Sequence, residues 1–107
     1  MDGTILYKSI RIDENIPTYI DYYIVPESIS AAYCDLKCYG VKIEKTLLLG
    51  GGGKIIETKQ INNVFYREND VYEFISEASE EKIEPRTLPL YMEKYITESL
   101  RRAKDKI

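Results

Sequence analysis

The sequence predicts an α+β domain: an antiparallel sheet of about four strands, arranged as two hairpins, packed against two C-terminal helices. Three observations predict it. Apolar residues recur at every second position through much of residues 4–61, glycines interrupt that alternation at 50–53, and from Glu68 the apolar spacing changes to threes and fours. A strand sends successive side chains to opposite faces and a helix buries one stripe, so the change of period marks where sheet gives way to helix.

In TILYKSIRI, residues 4–12, β-branched and aromatic residues dominate, and Leu6, Ile10 and Ile12 share one side of the alternation. Asp13, Glu14 and Asn15 form a polar turn before Pro17, and TYIDYYIV at 18–25 resumes the extended pattern, giving a first hairpin. Pro26 lacks the amide proton a central ladder needs, so it is expected to stop the second strand. Residues 26–37 show neither clean alternation nor a helical face and read as a connection, with at most one helical turn around Ile29–Tyr33. Alternation returns in CYGVKIEKTLLL, where Tyr39, Val41, Ile43, Leu47 and Leu49 share one parity and Lys42, Glu44 and Thr46 take the other. KIIETKQI at 54–61 makes the fourth strand, joined to the third through the glycines.

Val71, Phe74, Ile75 and Ala78 then fall on one stripe of a helix from about Glu68 to Ser79, with Glu68 and Asp70 at the positive end of its dipole. A second helix, about 88–104, follows Pro85: Thr87 suits its N-cap, Pro89 its first turn, and Leu88, Tyr91, Met92, Tyr95, Ile96 and Leu100 its buried face. Arg101, Arg102, Lys104 and Lys106 complement the negative end of that helix.

A chain of 107 residues accommodates one hydrophobic core, so residues 1–107 are expected to form a single domain. Its net charge of -3 and pI near 5.0 oppose binding to a phosphate backbone, which draws on lysine and arginine. No apolar run approaches the roughly 20 residues of a membrane span, and MDGTILYKSI lacks the layout of a signal peptide, so neither nucleic acid nor membrane is an expected partner and the expected location is cytoplasmic. Cys34 and Cys38 are the only cysteines, and with no histidine beside them they read as two free thiols rather than zinc ligands.

LLLGGGGK, residues 47–54, invites comparison with phosphate-binding loops, and fails it. With Gly53 and Lys54 placed at the end of a Walker-type loop, Leu48 stands where the first glycine belongs and Ile55 where a hydroxyl would hold magnesium. The dinucleotide fingerprint fails at the same Ile55, and a strand rather than a helix follows. The glycines are therefore a hairpin tip. The lack of histidine removes the commonest catalytic base, and Glu77, Glu80, Glu81 and Glu84 read as a solvated face. No catalytic residue, cofactor or metal site is assigned.

Ten tyrosines, beside two phenylalanines and no tryptophan, are the compositional oddity. A tyrosine buries a ring and keeps a polar tip, which suits both the rim of a small core and an interface. The candidate interaction surface comprises Tyr19, Tyr22, Tyr23 and Tyr39 on the predicted strands. Adjacent Tyr22 and Tyr23 must point to opposite faces, so they should differ in exposure.

YYIV at 22–25, YGVKIEK at 39–45, QINNV at 60–64 and IEPRTLPLYMEKYI at 83–96 together resemble a family of small uncharacterised proteins from clostridial-type Firmicutes, a domain of unknown function. The likeness runs from about Tyr22 to Ile96. It implies a bacterial cytosolic protein and supplies no catalytic residue; residues 26–38 and the glycine tip are longer than that family's usual connections. The expectation is a non-enzymatic binding or regulatory module acting on another protein or on a second copy of itself through sheet edges and aromatic surface. The alternative is a small-ligand binder or enzyme with a tyrosine- and glutamate-lined pocket between sheet and helices.

Overall fold

In the computed structural model, which describes residues 3–13, 15–30 and 34–105, a four-stranded antiparallel sheet precedes two helices. The strands are β1 (Ile5–Asp13), β2 (Pro17–Ser30), β3 (Asp35–Leu48) and β4 (Lys54–Phe65), and the helices are α1 (Glu68–Glu80) and α2 (Leu88–Asp105). Each strand pairs with the next in sequence, in the order β1-β2-β3-β4, so β1 and β4 form the two edges. The α+β class follows as predicted. The principal extents of 54 × 36 × 18 Å suit one sheet beneath one helix layer, with the long axis set by the 14-residue strands β2 and β3.

The alternation in β2 decides which face is covered: Thr18, Ile20, Tyr22 and Ile24 are buried, while Tyr19, Asp21 and Tyr23 lie half-exposed on the other side. Val41 and Ile43 stand directly across from Ile24 and Tyr22 and complete the sheet side of the core. Val71, Phe74, Ile75 and Ala78 of α1 and Leu88 and Met92 of α2 press onto them, with Phe65 closing one end. The α1 stripe matches the sequence reading residue for residue. On α2 burial fades along the predicted face, from buried Leu88 and Met92, through half-buried Tyr91 and Tyr95, to Leu100 at 66% exposed.

Three expectations are corrected. Residues 26–37 are not a plain connection: β2 runs through Pro26 to Ser30 and β3 starts at Asp35, the two pairing as far as Ser30 with Asp35, so Ile29 and Ser30 of the expected helical turn are strand. Residues 31–33 lie outside the described residues. Pro26 is accommodated because the paired part of β1 ends at Ile5, opposite Ile24; beyond it β2 is bonded on one side only, where a missing donor can be tolerated. Secondly, Leu6 does not share a face with Ile10 and Ile12. The register steps between Leu6 and Lys8, making Tyr7 an extra residue; Leu6 then sits opposite Tyr23 on the uncovered face while Tyr7 meets Tyr72 of α1 at 6.0 Å between ring centres. Thirdly, β4 continues past Ile61 to Phe65 by way of a larger irregularity. Tyr39 pairs with Phe65 and Val41 with Ile61, so Gly40 alone faces three residues of β4, among them Asn63 at φ 57°.

Turns follow their chemistry. Gly51 and Gly52 take φ of 79° and 89°, where side chains are strained, and the Leu49 amide donates to the Gly53 carbonyl at 2.8 Å to close the tip. α1 ends at Glu80 with Lys82 at φ 55°, and a short 3-10 turn, Pro85–Thr87, leads into α2. The bond Thr87 makes with its hydroxyl belongs to that turn, donated to the Glu84 carbonyl at 3.2 Å. Of the charges expected around the first hairpin and the chain end, Glu14 and Lys106 lie outside the described residues.

Candidate functional site

The four tyrosines singled out from the sequence do not form one surface. Tyr22 is fully buried, and its hydroxyl reaches across the core to donate to the Ile83 carbonyl at 2.9 Å, tying β2 to the segment before α2. Tyr39 shares the helix-side face with Val41 and Ile43 and packs half-buried at the rim of the core. Tyr19 and Tyr23 are left on the uncovered face, two strand repeats apart. Each lies near a cation, with the Arg11 guanidinium 5.5 Å from the Tyr19 ring centre and Lys42 Nζ 5.1 Å from that of Tyr23. Ser9 Oγ donates to Asp21 Oδ1 between them, and Thr58 Oγ1 to Glu44 Oε2 at 3.5 Å. This face is a polar lattice spanning all four strands.

Lost hydration dominates the titration of the buried phenols. Burial, then the Glu84 carboxylate, pushes the Tyr22 phenol far upward; burial, then the bond to Glu81 and its charge, does the same for Tyr91. Tyr23 and Tyr95 move the same way, each chiefly through burial. A phenol held neutral when folded but free to ionise when unfolded contributes stability that is complete below the unfolded value of about 10 and is lost as pH rises above it. Alkaline titration followed by tyrosinate absorbance and by circular dichroism should therefore show a late stage in which the Tyr22 and Tyr91 phenols ionise together with cooperative loss of helix. A single smooth titration with the helices intact would contradict the burial of Tyr22.

Lys45 and Glu84 meet at 2.6 Å where the covered face of the sheet opens to solvent, a pair that bridges β3 to the turn before α2. Both ends retain access to water, so its contribution is modest. Glu84 thus belongs to this bridge and not to the carboxylate row of α1. Glu77, Glu80 and Glu81 line an open groove of about 420 Å³ between the helices together with Tyr91 and Tyr95, and the Tyr91 hydroxyl donates to Glu81 Oε2 at 2.8 Å. A second open groove, about 630 Å³, lies where the end of β4 meets the helices, between Val64, Phe65, Glu73, Tyr95 and Arg102. A wider open groove, about 890 Å³, lies by the β2–β3 hairpin between Pro26, Ile29, Lys37, Tyr39 and Asn63.

Cys34 and Cys38 are free thiols, the first exposed and the second buried. The Cys38 thiol donates to Asn63 Oδ1 at 3.0 Å, and lost hydration with the nearby Glu27 carboxylate pushes its pKa up, away from the thiolate that redox chemistry needs. Among the described residues no three His, Cys, Asp or Glu side chains cluster as a metal site, and no helix is long and apolar enough to cross a membrane.

The sequence reading places β4 but does not single out its exposed isoleucines. In KIIETKQI, Ile55 and Ile56 point to opposite faces, yet both are about half exposed, at 49% and 48%. Leu48 and Leu49, at 40% and 39%, are exposed on the other side of the glycine turn. The signal was present, because two adjacent isoleucines in one strand cannot share a single core. The β4 backbone is bonded to β3 alone among the described strands.

The family-like segments converge on two structural contacts. YGV at 39–41 faces the INNV irregularity of β4, and YYIV supplies the Tyr22 hydroxyl that meets Ile83 at the head of IEPRTLPLYMEKYI. No curated protein and no solved structure matches the chain. Residues 1–98 match the model of a family of unknown function, DUF6514, and the chain belongs to that family.

Proposed function

We propose that this protein is a non-enzymatic binding or regulatory module that works by protein contact, with another protein or with a second copy of itself. The observation that carries the reading is the apolar surface of the β4 edge and its adjoining turn, where Ile55, Ile56, Leu48 and Leu49 stand outside the core beside a strand with one open side. Exposed apolar side chains next to unpaired strand backbone are a usual means by which sheet proteins capture a partner. The resemblance of its segments to clostridial-type proteins supports a place in the cytosol of such a bacterium.

The test is sedimentation of the intact chain over a wide concentration range, alone and with crosslinked partners recovered from its host, repeated with Ile56→Lys. Ile56 lies outside the core, so this variant should keep its stability to within about 0.5 kcal/mol. It should lose at least tenfold in association. Association that is unaltered by Ile56→Lys, or absent with every candidate, removes the support for this reading.

A further inference from the structure

We infer that β4 pairs antiparallel with β4 of a second copy, in the register that places Thr58 on the twofold axis. This rests on the contact-module reading and specifies its partner. Two antiparallel edge strands related by a twofold axis have that axis perpendicular to the sheet, so both helix layers lie on one side. Residues directly opposite one another then share a face, and the axis must pass through a residue position.

Few registers satisfy that condition within the regular part of β4, Lys54–Ile61, before the irregularity at residues 62–64. Centring on Glu57 sets two carboxylates against each other, and centring on Lys59 sets two ammonium groups against each other. A centre at Ile56 opposes Ile55 to Glu57, and a centre at Gln60 opposes Lys59 to Ile61 and runs into the irregular segment. With Thr58 at the centre every pair is compatible: Glu57 meets Lys59 twice, Ile55 meets Ile61 twice, and Ile56 meets Gln60 twice.

The charges already on the sheet favour the same arrangement. Glu57 stands across from Lys45 in β3 and 3.5 Å from Arg86, in a positive setting that an additional lysine extends into an alternating row. Lys59 stands across from Ile43, so β3 offers it no carboxylate, and Glu57 of the second copy would provide one. A lone inward-facing charge on an edge strand repels other strands, whereas opposite charges two residues apart attract an inverted copy of themselves. The other edge is less suited, because β1 is interrupted at Tyr7 and carries Lys8 on its helix-side face opposite Tyr22.

The experiment is a charge swap read by sedimentation. Lys59→Glu and Glu57→Lys should each weaken self-association at least tenfold, and the double variant E57K/K59E should restore it to within about threefold, as a pairwise charge contact requires. Circular dichroism checks that each variant is folded. In a Cys34→Ser background, Thr58→Cys should form a disulfide dimer under mild oxidation, because antiparallel partners sit about 4.5–5.5 Å apart at Cα; Lys54→Cys should not. Self-association that survives both single swaps, without the crosslink at position 58, overturns this register while leaving the contact-module reading intact. A chain that stays monomeric at all concentrations also overturns it, and the contact-module reading then stands or falls on whether Ile56→Lys abolishes binding of a different protein.

Discussion

Phe74→Ala lowers the stability of this protein by about 4 kcal/mol, enough to reduce its melting temperature by roughly 20 °C in a domain of this length. Phe74 is wholly buried on α1, and its ring meets Tyr95 at 4.9 Å, edge to face, and Phe65 and Tyr91 at 5.4 Å each. It is the point where β4, α1 and α2 share one cluster of rings. Removing it deletes the apolar burial of a large side chain, leaves a cavity and strips three aromatic contacts of about 0.5–1.5 kcal/mol each beyond area burial. Single domains are stable by only about 5–15 kcal/mol, so the loss is a large share of the total. Urea denaturation should show the midpoint falling with the slope unchanged. A change below about 1 kcal/mol would mean that the helices are not anchored through this ring.

Gly40→Ala costs about 3 kcal/mol although it adds a single methyl group. Built onto the Gly40 backbone, a Cβ would lie 2.4 Å from the Ile61 carbonyl oxygen and 2.9 Å from the Asn62 Cα. Both obstacles are backbone and cannot swing aside. The closeness arises where one residue of β3 faces three of β4, with Asn63 at positive φ and its side chain accepting the Cys38 thiol. Gly50→Ala is the matched control: nothing lies within 4 Å of its Cβ position. That substitution should be neutral or stabilising by about 0.5 kcal/mol, through the reduced freedom of the unfolded chain. Equal effects at the two positions, measured by thermal and urea melts, would show that the β3–β4 irregularity is not tightly packed.

The two glycines show how far local pattern carries. A hairpin tip could be read from LLLGGGGK because four glycines followed by strand-forming residues satisfy a turn and fail both phosphate motifs. The atoms that Gly40 approaches belong to a strand about 20 residues away and appear only in the pairing. Pro26 was misread for a related reason. The rule that proline ends a strand assumes ladders on both sides, and β1 stops just short of it. Leu6 was assigned to the wrong face because a single extra residue, Tyr7, reverses parity without altering composition.

The candidate surface divided in the same way. Opposite orientations for Tyr22 and Tyr23 followed from strand geometry, and the structure buries the first while leaving the second beside Lys42. Which of the two faces the helices would cover was not local information, nor was the partnership of the Tyr22 hydroxyl with Ile83, 61 residues on.

The amino-acid sequence alone determined the α+β class, the number of strands and helices, the inward stripe of α1 and the nature of the glycine turn, because each depends on periodicity or on the conformational limits of a few adjacent residues. Only the tertiary structure decided the strand order, the face that α1 and α2 cover, the extra residues in β1 and β4, and the isoleucines left along an open edge. These depend on which distant segments meet, and packing between segments far apart in the chain leaves no fixed spacing along it.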